Sequence, residues 1–129
     1  MRYLGIDFGE RRIGLATADS EGGLATPRKT LVRHSDEEAV AAIVRFAREE
    51  EVGAVVIGLP RHSDGADNRL APRVRSFARK LEAGLELPVR LVNEHLTTVE
   101  AGRRAPGNAG LDAAAAAVIL EEFLAAEPR

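Results

Sequence analysis

The sequence predicts an α/β fold with a mixed five-stranded sheet, in which three antiparallel strands come first and parallel strands follow, flanked by helices. Two observations lead to this prediction. The chain opens with three β-prone segments separated by turn residues. After them, short apolar runs alternate with segments in which apolar residues recur at helical spacing, which is typical of strand–helix–strand units.

The three N-terminal strands are defined by composition. Tyr3 to Gly9 carries bulky, β-prone side chains between glycines, and Arg12 to Asp19 follows as its hairpin partner. Ser20 to Gly23 is a turn of residues that tolerate unusual backbone angles. Thr26 to Val32 is the third strand, with Pro27 near its start, where a missing backbone donor does least harm. These segments predict an antiparallel meander.

The first helix is predicted from a capping box, Ser35 to Glu38, which precedes an apolar face at helical spacing. That face consists of Ala39, Val40, Ile43, Val44 and Ala47. Ala54 to Gly58 is a continuous apolar run, which indicates a central parallel strand covered on both faces. Leu59 to Asn68 then forms a loop at the carboxyl end of that strand, where open α/β sheets place their ligands.

A second helix follows, and Pro88 to Val92 is the last strand. The buried side of this helix is predicted to be Leu70, Val74, Phe77, Ala78 and Leu81. Its other positions carry the cations Arg69, Arg73, Arg75, Arg79 and Lys80. These cations could face phosphates, although a solvated helix face is the favoured interpretation.

Bulk properties narrow the class of protein. A chain of 129 residues with 45% apolar and 29% charged residues predicts one globular domain, residues 1–129. No apolar run approaches the roughly 20 residues of a membrane span, and Met1 leads directly into a strand, so a cytosolic protein is expected. A net charge of -2 argues against coating nucleic acid by bulk electrostatics, without excluding local binding.

The sequence contains no cysteine, which excludes disulfides and thiolate zinc sites and leaves carboxylates as the likeliest metal ligands. Hard cations such as Mg²⁺ or Mn²⁺ suit these oxygen ligands. The three histidines, His34, His62 and His95, lie on separate segments without the spacing of metal ligands. A zinc site is therefore not predicted.

Asp7 is a carboxylate within the apolar first strand. Burying it costs several kcal/mol unless a cation or hydrogen-bond donors compensate the charge. Two interpretations stay open for this residue alone: it stabilises the turn of residues 9–11, or it has a functional role, with a metal or another partner compensating its charge. The flanking Gly5 and Gly9 are expected to leave open space through which a phosphate backbone could approach.

Two further carboxylates stand at element ends. Glu94 follows the last strand, just before the capping box Thr97 to Glu100 of a short third helix. Asp112 opens an alanine-rich final helix, where a helix N-cap is the alternative interpretation. Right-handed crossovers should bring the last strand near the first, and the final helix could pack across them. Two divalent ions about 3.5 to 4 Å apart would then neutralise Asp7, Glu94 and Asp112 and support phosphodiester hydrolysis.

Four motifs in this order resemble the bacterial Holliday-junction-resolvase-like family, also described as the nuclease that processes the 5′ end of pre-16S rRNA. They are Gly5 to Gly9, Gly58 to Pro60 with Asp64-Gly65, Asn93 to Thr98, and Leu111-Asp112 with Ala116 to Leu120. The resemblance covers essentially the whole chain. It implies a ribonuclease H-like fold and a metal-dependent endonuclease, and it carries the catalytic and metal-binding roles onto Asp7, Glu94 and Asp112.

The chain departs from the family pattern at two places. The family usually has Asp-Glu-Arg where this chain has Asn93-Glu94-His95, which replaces a cation with a residue mostly neutral at pH 7. The basic loop before the final Asp is shortened to Arg103 to Gly110, so fewer contacts to DNA or RNA are expected. The candidate substrate contacts are Arg11, Arg61, His95, Thr97, Thr98, Arg103 and Arg104.

Three functional hypotheses remain at the level of sequence. The leading one is a metal-dependent endonuclease acting on structured nucleic acid, with precursor rRNA or branched DNA as its substrate. A junction resolvase that makes paired cuts would be expected to act as a homodimer. The second hypothesis is a non-catalytic nucleic-acid-binding module of the same fold, and the third is one lobe of an actin- or sugar-kinase-like phosphotransferase.

Overall fold

The computed structural model describes residues 1–59, 70–93 and 110–126, which contain five strands and three helices. The strands are β1 (Arg2–Phe8), β2 (Arg12–Asp19), β3 (Thr26–Val32), β4 (Ala54–Leu59) and β5 (Val89–Asn93). The helices, numbered here in chain order, are α1 (Asp36–Glu49), α2 (Ala71–Leu85) and α3 (Gly110–Ala126). The bounds predicted for the second and third strands are confirmed. β4 extends one residue beyond its predicted end, to Leu59, and β5 begins and ends one residue later than predicted. The rest of the predicted loop after β4 and the helix predicted at Thr97 lie outside the described residues.

The strands form one sheet in the order β3-β2-β1-β4-β5. The pairs β1–β2 and β2–β3 are antiparallel, whereas β1–β4 and β4–β5 are parallel. The predicted mixed sheet is therefore confirmed. β5 is the second neighbour of β1, because β4 lies between them, so these two strands are separated by roughly 10 Å.

Helix α1 begins at the predicted capping box. Ser35 is its N-cap, and the Ser35 hydroxyl accepts a 3.1 Å hydrogen bond from the backbone N–H of Glu38. This bond satisfies one of the free amide groups of the first turn, and the acidic residues there complement the helix dipole. The predicted apolar faces of α1 and α2 both pack on the core.

The two faces of the sheet are covered by different helices. Leu4, Ile6 and Phe8 of β1 point towards α1 and α2, and the Phe8 and Phe77 rings lie 4.8 Å apart. The alternate β1 residues point towards α3, where Tyr3 contacts Phe123 at a ring distance of 5.7 Å. Because side chains alternate along a strand, Asp7 belongs to the α3 face.

Asp36 is a buried carboxylate that joins α1 to α2 and to the chain after β3. Its Oδ1 accepts a 2.9 Å hydrogen bond from Arg33 Nε, and its Oδ2 accepts a 3.0 Å hydrogen bond from Lys80 Nζ. Arg73 Nη2 lies 3.8 Å from Oδ1. Two cations of α2 are thus held by an acidic partner, which favours the structural interpretation for Arg73 and Lys80 over phosphate binding.

These contacts set the pKa of Asp36. Burial acts to raise it, but the hydrogen bonds and positive charges of Lys80 and Arg33 outweigh burial and lower the pKa below its ordinary value. The same hydrogen bond raises the pKa of Lys80. A carboxyl group with a lowered pKa stabilises the folded state above its unfolded pKa and loses that contribution as the pH falls through the folded value.

We expect Asp36→Asn to lower the free energy of unfolding by about 1 to 2 kcal/mol at pH 7, because charge-assisted hydrogen bonds are lost. The deficit should shrink as the pH falls below the ordinary carboxyl pKa of about 4 and through the lowered pKa of Asp36, because the wild-type carboxylate is progressively protonated there. Urea denaturation at pH 7 and at a pH below about 4 measures this difference in the free energy of unfolding. Asp19→Asn is the matched control, since that side chain is 66% exposed. A deficit that persists unchanged in acid would contradict the assignment.

Candidate functional site

Asp7 is buried on the α3 face of the sheet, with 3% of its surface exposed. Its partner on β2 is Gly14, and on the other side β1 and β4 are in register up to Ile6 and Ile57. Directly opposed residues of an antiparallel pair point to the same face with Cα atoms about 5 Å apart. The next residue of β4 is Gly58. The Asp7 carboxylate therefore has a glycine as its neighbour on β2 and a glycine just past the last paired residue of β4.

The first turn of α3 lies directly against Gly14. A Cβ atom added to Gly14 would be 1.9 Å from the carbonyl oxygen of Asp112 and 2.6 Å from the nitrogen of Ala113. This approach is possible only because Gly14 has no side chain. The backbone of Asp112 is thus packed on the cross-strand partner of Asp7, and the structure brings these two predicted site residues together.

The packing of β1 against α3 also places Asp112 near Asp7. Tyr3 contacts Phe123, and a Cβ atom on Gly5 would lie 2.9 Å from both the Ala116 carbonyl oxygen and the Leu120 Cβ. As β1 proceeds from Tyr3 to Gly5, the α3 residues that face it have lower numbers, and Asp112 lies at the end of α3 that faces Asp7. The helix runs antiparallel to β1, with its N-terminal end beside Asp7.

The expectation of open space beside Asp7 is wrong at both glycines. The Gly5 Cβ position is occupied by α3, as described above, and a Cβ on Gly9 would lie 2.5 Å from the carbonyl oxygen of Arg12. These glycines allow close approach of this chain's own backbone. They do not provide a path for a phosphate.

Asp112 is the third residue of α3, which begins at Gly110, so it is not the N-cap. Its side chain is 14% exposed, and Arg12 Nε lies 2.8 Å from its Oδ2. The contact lacks the alignment of a hydrogen bond, and Oδ2 has no hydrogen-bond partner among the described residues. A buried carboxylate oxygen whose partner in the described part of the chain is a poorly aligned guanidinium is a suitable ligand for a hard cation.

The donor set therefore fits a divalent metal ion. Asp7 and Asp112 offer carboxylate oxygens on one face, at a location largely removed from water. Within the described ranges, no three His, Asp or Glu side chains are grouped to hold a metal. The third predicted ligand, Glu94, lies outside these ranges; the preceding β5 residues Arg90 and Val92 contact the α3 side of the sheet.

Of the predicted substrate contacts, only Arg11 is described. It is exposed in the turn between β1 and β2, and its carbonyl oxygen accepts a 2.8 Å hydrogen bond from the Arg33 N–H. The others lie outside the described residues: Arg61, His95, Thr97, Thr98, Arg103 and Arg104. Among the histidines, His34 is exposed before α1, and His62 also lies outside.

Arg12 and Gly14 were not predicted as site residues from the sequence, although a signal was present. One face of β2 carries Arg12, Gly14, Ala16 and Ala18, and all but the first are small. Ala16 packs against Ala116 and Ala117 of the alanine-rich helix. Small residues alternating along a strand, matched by a helix rich in alanine, predict a close strand–helix contact. That pattern would have pointed to α3 and β2 as neighbours.

A cavity of about 860 Å³ lies elsewhere, between α1 and α2. These helices cover the sheet face opposite Asp7 and Asp112, so this cavity is not part of the candidate site. Its lining includes Val40, Val44 and Gly84.

Comparison with known proteins identifies the family. The profile of the family described as "RuvX: Holliday junction resolvase" matches residues 1–126. The chain belongs to this family. Relatives named "Putative pre-16S rRNA nuclease" include one from Anaeromyxobacter dehalogenans strain 2CP-1, 44% identical with 96% of each chain covered. Another, from Nitratidesulfovibrio vulgaris, is 39% identical and covers 96% of this chain and 93% of its own.

Solved structures show the same fold. Thermus thermophilus RuvC has a TM-score of 0.62 at 19% identity, covering 98% of this chain and 95% of its own. The fowlpox virus Holliday junction resolvase has a TM-score of 0.58 at 9% identity, covering 98% and 100%. The predicted ribonuclease H-like fold is confirmed.

Family membership also supports the broad activity predicted from the sequence. It assigns hydrolase activity on nucleic acid, which favours the nuclease over the phosphotransferase hypothesis. In the described part of the chain, no helix is both long and apolar enough to cross a membrane.

We expect Gly14→Ala to destabilise the protein by about 1 to 3 kcal/mol, because the added methyl group collides with the α3 backbone. The change should also reduce cleavage, since it displaces Asp112 from Asp7. Thermal unfolding measures the loss of stability, and a cleavage assay at a temperature where circular dichroism shows the variant to be folded measures the loss of activity. Gly22→Ala is the matched control: the nearest atom to its added Cβ is 3.8 Å away. Unchanged stability of Gly14→Ala would contradict the close contact.

Proposed function

We propose that this protein is a divalent-metal-dependent endonuclease that hydrolyses phosphodiester bonds in structured nucleic acid. The observation that carries the proposal is the packing of Asp112 on Gly14, the strand partner of the buried Asp7. Carboxylate oxygens on one largely buried face are the donors that a hard divalent cation prefers. Glu94, which follows β5 in the sequence, is proposed as the third catalytic carboxylate.

The three carboxylates would hold the metal, Mg²⁺ or Mn²⁺, as two ions. When bound, such ions supply Lewis acidity, which lowers the pKa of an attacking water and stabilises the departing oxygen. Asp7 contributes a rigid ligand, because β1 is hydrogen-bonded on both sides. Asp112 contributes a ligand from the first turn of a helix, whose free amides and dipole favour negative charge and so favour a phosphate nearby.

For the substrate, we favour the 5′ end of precursor small-subunit rRNA. Relatives 39% to 44% identical over nearly the whole chain bear the pre-16S rRNA nuclease name, whereas RuvC is only 19% identical and supports the fold alone. In this role the enzyme would act in the cytoplasm, in ribosome biogenesis. The second candidate is a four-way DNA junction, favoured by the description of the family itself; for paired cuts it would require a homodimer.

We expect Asp7→Asn and Asp112→Asn to reduce metal-stimulated cleavage by at least about 100-fold, because each removes a charged ligand. Both variants should remain folded by circular dichroism. In Asp112→Asn this is expected because the Arg12 left behind is 51% exposed and can be solvated. Asp19→Asn, at the opposite end of β2, is the matched control and should keep full activity. Full activity of either site variant with Mg²⁺ or Mn²⁺ would overturn the proposed site.

The substrate is tested by offering precursor rRNA and junction DNA side by side, with Mg²⁺ or Mn²⁺, and Asp112→Asn as the inactive control. Cleavage of the RNA at the mature 5′ end, faster than any cut in the junction, is the expected result. Symmetric cuts in the junction alone would instead support the resolvase role. Salt-dependent binding to both substrates without any product would support the non-catalytic binding module.

A further inference from the structure

Arg12 is a cation on the α3 face that contacts the candidate metal ligand Asp112. Its Nε lies 2.8 Å from Asp112 Oδ2. Arg12 and Gly14 are two residues apart on β2, so both point to the same face, and Gly14 fixes the Asp112 backbone there. The ion pair is therefore a consequence of the strand–helix packing.

The two partners differ in exposure and in hydrogen bonding. The Arg12 side chain is 51% exposed, whereas that of Asp112 is 14% exposed. Oδ2 of Asp112 is buried and has no aligned hydrogen bond from any described residue, Arg12 included. The Arg12 guanidinium therefore places a positive charge beside Asp112 without donating an aligned hydrogen bond to Oδ2. Because the Arg12 side chain is half exposed, it can turn towards water at little free-energy cost.

A divalent cation at Asp112 would occupy the same oxygen and would be repelled by the adjacent guanidinium. Two positive groups cannot share a single buried carboxylate oxygen without a large electrostatic penalty. The exposed side chain is the partner that is free to move away. The ion pair therefore competes with metal binding.

We propose that Arg12 is a built-in counter-ion of Asp112, which compensates this carboxylate in the metal-free protein and is displaced when a divalent cation binds. Arg12 is thus a positioning residue: it holds the Asp112 side chain against β2 before the metal arrives, and it weakens metal affinity in return. The inference rests on the proposed metal-binding role of Asp112.

The test is the affinity for Mn²⁺ alone, measured by electron paramagnetic resonance without nucleic acid. Arg12→Gln should bind Mn²⁺ at least about threefold more tightly than the wild type, because an opposing charge is removed. Arg12→Lys keeps the charge and should stay within about twofold of the wild type. Arg28→Gln is the matched control: it breaks a 2.7 Å ion pair with Glu50, away from the α3 face, and should leave the affinity unchanged.

A double-mutant cycle ties the effect to Asp112. Adding Arg12→Gln to Asp112→Asn should change the Mn²⁺ affinity much less than Arg12→Gln does in the wild type, since the competing partner is gone. Unchanged or weaker Mn²⁺ binding in Arg12→Gln, with only a lowered melting temperature, would mean that Arg12 merely clamps α3 and would overturn the inference.

Failure of the proposed function has a different signature. If the wild type binds no Mn²⁺, or binds it equally well as Asp112→Asn, then Asp112 is not a metal ligand and both proposals fall. If Asp112→Asn weakens Mn²⁺ binding but Arg12→Gln does not strengthen it, the metal site stands and only the counter-ion role is overturned.

Discussion

The close contact between α3 and the centre of the sheet is the constraint on which the candidate site depends. The contact requires Gly14 and Gly5, whose missing side chains leave room for the backbone of α3 and for Leu120. Alanines complete it on both sides, with Ala16 packed on Ala116 and Ala117. Because the helix runs antiparallel to β1, the same packing that buries apolar surface also sets Asp112 next to Asp7. The contacts that pack the core therefore also set the position of Asp112 relative to Asp7.

Charge compensation is organised differently at the buried Asp36 and at the half-buried Asp112. Asp36 is held by aligned hydrogen bonds from Arg33 and Lys80, which lower its pKa and leave no vacant coordination for a ligand. Asp112 has one misaligned cation and an oxygen without a hydrogen bond from any described residue. The first arrangement stabilises the fold, because its partners satisfy both oxygens. At Asp112 the set of partners among the described residues is incomplete, as expected at a position where a bound ligand supplies the missing partner.

Sequence patterns were sufficient for most of the fold. The bounds of β2 and β3, the capping box of α1 and the buried face of α2 follow from local chemistry: alternation, helical spacing and side-chain capping. The prediction that Gly5 and Gly9 leave open space was wrong, because a glycine in a sequence shows only that room is needed and does not show what fills it. The N-cap interpretation of Asp112 was also wrong, because α3 begins two residues earlier, at Gly110.

The sequence by itself determined the strands and helices of the described residues, the class of fold and that Asp7 stands within an apolar strand, because these depend on residues near one another in the chain. Only the tertiary structure decided that β4 lies between β1 and β5, that α3 packs directly against Gly14, and that Arg12 pairs with Asp112. The last two facts join residues about 100 positions apart. The small residues of β2 and the alanines of α3 indicate that these elements can approach closely, but the register of the contact is set only when the helix packs on the sheet.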